Sequence, residues 1–312
     1  MRDAFAAELT LLAAHDERIV LLMGDIGNHM FDKFKERYPT RFYNCGIAEA
    51  NMISLAAGLA IRGFIPFVYT FSAFTVGRAF EQIRVDLAFQ KLPVIIIGLG
   101  AGLTYSSLGA THYFNEDLAL MRSLPNMTVV CPADAAETRA SVRESLNSKG
   151  PVYIRIGKKK EPAVHQNEFN FSFGKAVTLC DGSDICILSA GTIMPNVISA
   201  ADILKSEGIS ARVVSFHTLK PLDTKLLEDV FRDYKLVVTV EEHSLIGGFG
   251  SAVAEWLADT LINVNAKLLR IGLPDEFLYY AVKQEEARDV YNLSPEKIAA
   301  AVKEKLDVLF FD

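Results

Sequence analysis

This chain has no long apolar run. Its most apolar stretch, Pro93 to Leu103, is too short and too rich in glycine to span a bilayer, so no membrane association is expected. A basic surplus is missing too. The net charge of −6 argues against a nucleic-acid partner, because phosphate contacts need positive surface. The one basic run, Lys158-Lys159-Lys160, reads as a solvated linker after a strand, with anion binding as the alternative. There are four cysteines, Cys45, Cys131, Cys180 and Cys186, in no metal-ligand spacing, and no HxxxH or CxxC pair occurs. Buried, reduced thiols and no metal site in this chain are the expectation. Low-complexity segments and solenoid-period repeats are also lacking. Two glycine-bearing turns, Gly24-Asp25-Ile26-Gly27-Asn28 and Ile246-Gly247-Gly248-Phe249-Gly250, match neither GxGxxG nor GxxxxGK[ST], and read as tight turns and helix starts rather than phosphate cradles. The first twenty residues carry acids within an apolar stripe. They read as an amphipathic helix rather than a secretory signal, so a cytoplasmic location is expected.

What is present describes an ordered globular protein, 50% apolar and 22% charged, with room for two domains. Strand-length apolar runs at 19–24, 64–71, 92–100, 127–133 and 152–157 alternate with helical patterns near 3–14, 50–61, 75–90, 115–123 and 134–148. The polar, unperiodic stretch near 158–173 interrupts this rhythm. It resumes with strands at 184–191, 210–216, 235–242 and 267–272, and helices near 195–207, from Asp223, and near 250–262. The strands are continuously apolar, as when a parallel sheet is covered on both faces. The predicted fold class is α/β, with two doubly wound domains at 1–160 and 174–312 joined by a linker at 161–173.

Within NCGIAEANMISLAAGLA (44–60), Glu49 is the one charged residue of a helix whose apolar residues occupy nearly every face. A carboxylate in the first turn favours the helix dipole by about 0.3–1 kcal/mol. A buried one costs several kcal/mol unless a partner bonds or protonates it. His112 follows a strand and a glycine-rich loop, at the edge where open α/β sheets bind ligands, and is either a ligand-facing or a structural histidine. His15, His165, His217 and His243 have structural readings alone.

GIAEAN (46–51), AAGLAIRGFIPFVYTFSAF (56–74), FEQIRVDLAFQKLPV (80–94), GATH (109–112), LPNMTVVCPAD (124–134), LKPLD (219–223) and VEEHSLIGGFG (240–250) occur in order. Together they resemble the C-terminal half of transketolase and of 1-deoxy-D-xylulose-5-phosphate synthase. The resemblance implies a thiamine pyrimidine-binding domain followed by a smaller transketolase C-terminal domain. It also implies a partner chain, an N-terminal subunit that grips the diphosphate and Mg2+ of thiamine diphosphate. A heterotetramer with a two-fold axis is the family's arrangement.

By that resemblance Glu49 hydrogen-bonds a ring nitrogen of the aminopyrimidine and promotes the tautomer that takes the thiazolium proton. Tyr69, Phe71 and Phe74 fill the stretch that stacks on the pyrimidine, Phe74 first; each is equally readable as a core strand residue. Asp25 and Ile26 match the loop approaching the thiazolium, with Ile97 and Gln82 behind. His112 matches a substrate-contacting histidine and Arg155 a phosphate-holding arginine, unless Arg155 is a strand-end surface residue. His29 is placed in the substrate channel. Two positions depart from the family: Leu108 stands for an aspartate four residues before the histidine, and Gly100 for a histidine. Leucine accepts no hydrogen bond from a sugar hydroxyl, so the substrate is open. The expected activity is transfer of a ketol unit from a ketose or ketose phosphate to an aldehyde. The alternatives are a 2-oxo acid decarboxylating carboligase or dehydrogenase beta-type subunit, and a non-catalytic partner-binding subunit.

Overall fold

The computed structural model describes residues 1–27, 29–158, 161–261 and 264–311. The first half contains helices α1 (Arg2–Leu12), α2 (Asp32–Arg37), α3 (Glu49–Ile61), α4 (Ala79–Gln82), α5 (Asp117–Ser123) and α6 (Ala135–Ser145). Its strands are β1 (Ile19–Met23), β2 (Phe42–Asn44), β3 (Ile65–Phe71), β4 (Ile95–Leu99), β5 (Thr128–Val130) and β6 (Val152–Ile156). The second half contributes β7 (Val177–Cys180), β8 (Ile185–Ala190), β9 (Ala211–Ser215), β10 (Thr218–Lys220), β11 (Leu236–Ser244) and β12 (Lys267–Leu273). Its helices are α7 (Met194–Ser206), α8 (Thr224–Asp233), α9 (Phe249–Asp259), α10 (Gln284–Val290) and α11 (Pro295–Phe311).

The β1 sequence IVLLM explains the layering. Val20 and Leu22 enter the hydrophobic cluster on one face of the sheet, while Ile19, Leu21 and Met23 enter the cluster on the other. Alternate side chains of a strand point to opposite faces, so an all-apolar strand needs cover on both. Seven strands form the first sheet in the order β10-β5-β6-β4-β3-β1-β2. Five form the second, β12-β11-β8-β9-β7. The pairings are parallel except β10 with β5 and β7 with β9.

The strand β10 comes from the second half yet completes the edge of the first sheet, with Thr218 opposite Val130. Lys220 reinforces the seam by donating its Nζ hydrogens to the carbonyls of Arg122 at 2.8 Å and Leu124 at 2.6 Å. The helix expected at 75–90 is instead three pieces. Wide π-type turns at Ala73–Arg78 and Ile83–Ala88 flank the short α4. Such turns shift the register of the side chains and are frequent at functional sites. Among the described residues, no helix is long and apolar enough to cross a membrane.

Candidate functional site at the carboxyl edge of the first sheet

The edge is built by two loops tied together. After β1, Gly24 turns the chain; a Cβ there would stand 2.9 Å from the Thr70 hydroxyl. The Asp25 N–H donates to the Gly46 carbonyl at 3.3 Å, and Cys45 N–H to the Met23 carbonyl at 2.8 Å. Asn44 bridges both loops, donating to Asp25 Oδ1 at 3.0 Å and accepting from Gly46 N–H at 2.9 Å. Gly46, at φ +67°, occupies the left-handed region that glycine adopts without strain. This turn delivers Glu49 as the first residue of α3.

Glu49 is 5% exposed. Its carboxylate has a partner that sequence reasoning missed: Arg78 Nη1 donates to Oε2 at 3.2 Å. The same guanidinium lies 4.1 Å from the centre of the Phe74 ring, a cation–π contact. Phe71 meets Phe74 edge-on at 5.4 Å. The His112 ring stands 5.3 Å from Phe71 and 5.4 Å from Phe74, with its Nδ1 2.8 Å from Thr111 Oγ1. Tyr105 closes the cluster at 4.9 Å from Phe71. Thus Glu49, Phe71, Phe74 and His112 come together, with Asp25 at the neighbouring turn.

The spacing of Phe74 and Arg78, four apart in a helical stretch, was the available signal for their contact. Tyr105 carried no such signal, but it accounts for Gly100. A Cβ at Gly100 would run into the Tyr105 ring, so no larger residue fits while that ring is in place. Leu108 is exposed on the turn before His112.

Three expected site residues lie elsewhere. Tyr69 is fully buried, stacked 5.7 Å from Phe5 and edge-on to Phe31 at 5.0 Å. It is a core residue, and burial drives its phenol far above the usual range. His29 is exposed, 3.0 Å from Asp32, and lines the groove between α1 and α2 rather than the aromatic cluster. Arg155 is not a strand-end surface arginine. It is 7% exposed, with Nε 3.3 Å from Asp117 Oδ2 and Nη2 donating to the Glu242 carbonyl at 2.8 Å. Its guanidinium is spent on the seam between the two halves. Ile26 packs partly against the core beneath the Asp25 turn. Lys159, Lys160 and Asn28 lie outside the described residues.

Glu242 anchors the seam. Its carboxylate accepts from Leu103 N–H at 2.7 Å, from Arg288 Nε at 2.7 Å, and from Gln284 Nε2 at 3.0 and 3.1 Å. His243, beside it, bonds Ser244 O through Nδ1 at 2.7 Å and accepts Ala119 N–H at Nε2, 3.3 Å. Burial lowers its pKa to about 4. Among the described residues, no group of three or more His, Cys, Asp or Glu is arranged to hold a metal ion.

With this geometry in view, the chain matches the pyrimidine-binding domain of transketolase over residues 1–162 and the transketolase C-terminal domain over 174–298. The chain belongs to the transketolase family. It is 37% identical over 286 residues to an apulose-4-phosphate transketolase subunit of Phocaeicola vulgatus, covering 91% of this chain and 90% of that one. It is 38% identical to a 6-deoxy-6-sulfo-D-fructose transketolase subunit of a Clostridium species, covering 89% and 85%. Among solved structures, one described as a split gene transketolase, inactive beta4 tetramer, superimposes with a TM-score of 0.89 at 40% identity, covering 97% of each chain.

Proposed function

We propose that this chain is the C-terminal subunit of a split transketolase, which binds thiamine diphosphate together with an N-terminal subunit and moves a ketol unit from a ketose or ketose phosphate to an aldehyde. The observation that carries the reading is the buried Glu49 beside the Phe71–Phe74–His112 wall, at the carboxyl edge of a sheet in a chain of the transketolase family. Similar proteins are named as transketolase subunits, which supports a partner subunit; that partner would supply the diphosphate and Mg2+ contacts. The family's assembly suggests a heterotetramer with a two-fold axis.

The residues fit an aminopyrimidine. Its flat face needs an aromatic surface, and its polar edge needs a carboxylate at the ring's rim. Phe74 offers the surface and Glu49 the carboxylate, with one flat guanidinium already spanning both. When bound, thiamine diphosphate supplies the electron sink that makes carbon–carbon cleavage next to a carbonyl feasible. This chain's residues do the rest. Glu49 takes or shares a proton at Oε2, in a site shielded enough for that carboxylate to matter electrostatically. Phe74 fixes the tilt of the ring, with Phe71 behind it. Asp25 and Ile26 stand at the β1 turn on the same edge. His112, held by Thr111, offers a ring nitrogen to a substrate hydroxyl.

Co-expression with the N-terminal subunit, then assay of a ketose phosphate and 2-oxo acid panel with thiamine diphosphate and Mg2+, tests the reading. Ketol transfer from a ketose by wild type, lost in Glu49→Gln, is the expected result. Decarboxylation of 2-oxo acids without ketol transfer would replace it with the carboligase reading. Full activity in Glu49→Gln would remove the assignment of this site.

A further inference from the structure

The geometry points to Arg78 as a built-in stand-in for the pyrimidine ring: it sits over Phe74 and on the Glu49 carboxylate, the two contacts that the ring would use, and it must move aside for the cofactor to enter. This rests on the reading of Glu49 as the cofactor's carboxylate partner. A guanidinium is a flat, delocalised group with N–H donors in its plane. Arg78 places its guanidinium carbon over the Phe74 ring, 4.1 Å from the centroid, and donates an N–H to Glu49 Oε2 at 3.2 Å. An aminopyrimidine bound there would present a flat face to Phe74 and its ring nitrogen to the Glu49 carboxylate, with a proton shared between them. Both cannot lie on the same side of Phe74, and both would bond the same Glu49 carboxylate.

The arrangement also resolves how a lone chain tolerates Glu49. A carboxylate with 6% of its side chain exposed and no counter-charge would be costly, and Arg78 supplies that charge. The bond is exchangeable, because the Arg78 side chain is itself 51% exposed and regains water when it swings away. Its place at the end of the π-type turn Ala73–Arg78 puts it in an irregular stretch rather than inside a regular helix. Arg78 is therefore a positioning residue that protects the acid and sets the affinity for the ring.

The test is the dissociation constant of thiamine diphosphate, with Mg2+ at fixed concentration, for the complex with the N-terminal subunit. Wild type is compared with Arg78→Met, which keeps the apolar stem and removes the competing cation, and with Arg78→Lys, which keeps the charge but not the flat face. Arg78→Met is expected to bind about three- to tenfold tighter, since one exchangeable ion pair and one cation–π contact no longer compete. Arg78→Lys is expected between the two. The melting temperature without cofactor should fall in Arg78→Met, while that with saturating cofactor should not. A purely structural arginine would weaken binding and lower both melting temperatures. Wild-type or weaker affinity in Arg78→Met, with wild type binding normally, overturns the stand-in and leaves the functional reading intact. Absence of thiamine diphosphate binding in wild type as well overturns both.

Discussion

Two buried carboxylates in this chain sit in opposite circumstances. Glu242, at the seam between the halves, is saturated: a backbone N–H, an amide and a buried arginine fill its acceptor positions, and its neighbours Arg155 and Asp117 are paired as well. Glu49, at the open edge of the first sheet, has one half-exposed arginine as its charge partner. The difference separates structure from chemistry. A saturated acid in an enclosed site has no capacity left for a ligand, and removing it strands its partners. An acid whose counter-charge can leave into water is available for exchange. Under the proposed function, replaceable partners rather than burial alone mark the carboxylate that does chemistry.

The sharpest way to break that contrast is at the seam. Glu242→Ala leaves the buried Arg288 with only the exposed Glu285 as a carboxylate partner and Leu103 N–H unpaired, and is expected to cost about 3 kcal/mol in stability, read from urea denaturation. A loss near that of an exposed ion pair would show that the seam is not saturated in solution.

Next comes His243, whose pKa falls from the ordinary 6.5 to about 4 because it is fully buried, with the Arg155 charge pushing the same way. The folded state disfavours the proton that the unfolded chain takes up below pH 6.5. Its contribution is therefore complete above pH 6.5 and is lost as pH falls toward 4, about 3 kcal/mol in all. Stability curves at pH 7 and 4.5 for wild type and His243→Gln check this, the variant losing that part of the pH dependence.

Glu49→Gln is expected to change stability by no more than about 1 kcal/mol, since its one ion pair is half in water, while turnover of the complex disappears. A loss as large as that of Glu242→Ala would erase the distinction between the two acids. Smallest of all, Tyr69→Phe is expected to leave turnover unchanged. That phenol lies in the core, its oxygen 3.9 Å from Met30 sulfur.

Much of this was legible in the sequence, and the parts that were not share a cause. Continuous apolar runs located the central strands because a doubly covered strand admits few other residues, and GIAEAN singled out Glu49 because an acid among small apolar residues demands a partner. The strands Phe42–Asn44 and Thr218–Lys220 escaped because three residues carry no period, and β10 takes its place from a long-range pairing with β5. Arg155 looked like a strand-end arginine, since nothing in VYIRIG reveals that Glu242 and Asp117 will meet it. The aromatics YTFSAF were separated by position along β3, not by identity. Tyr69 and Phe71 share a face, but Tyr69 is mid-strand under α1, and Phe71 ends the strand and reaches the edge. Arg78 was missed because its role depends on two partners brought together from β3–α4 and the start of α3.

The measurement that tests the central claim most directly is the exchange of the C2 proton of thiamine diphosphate with deuterium, in the complex with the N-terminal subunit, for wild type and Glu49→Gln. Glu49 as the carboxylate that drives proton removal predicts rapid exchange in wild type and exchange slowed by orders of magnitude in the variant, with cofactor still bound. Equal rates with cofactor bound in both would contradict it.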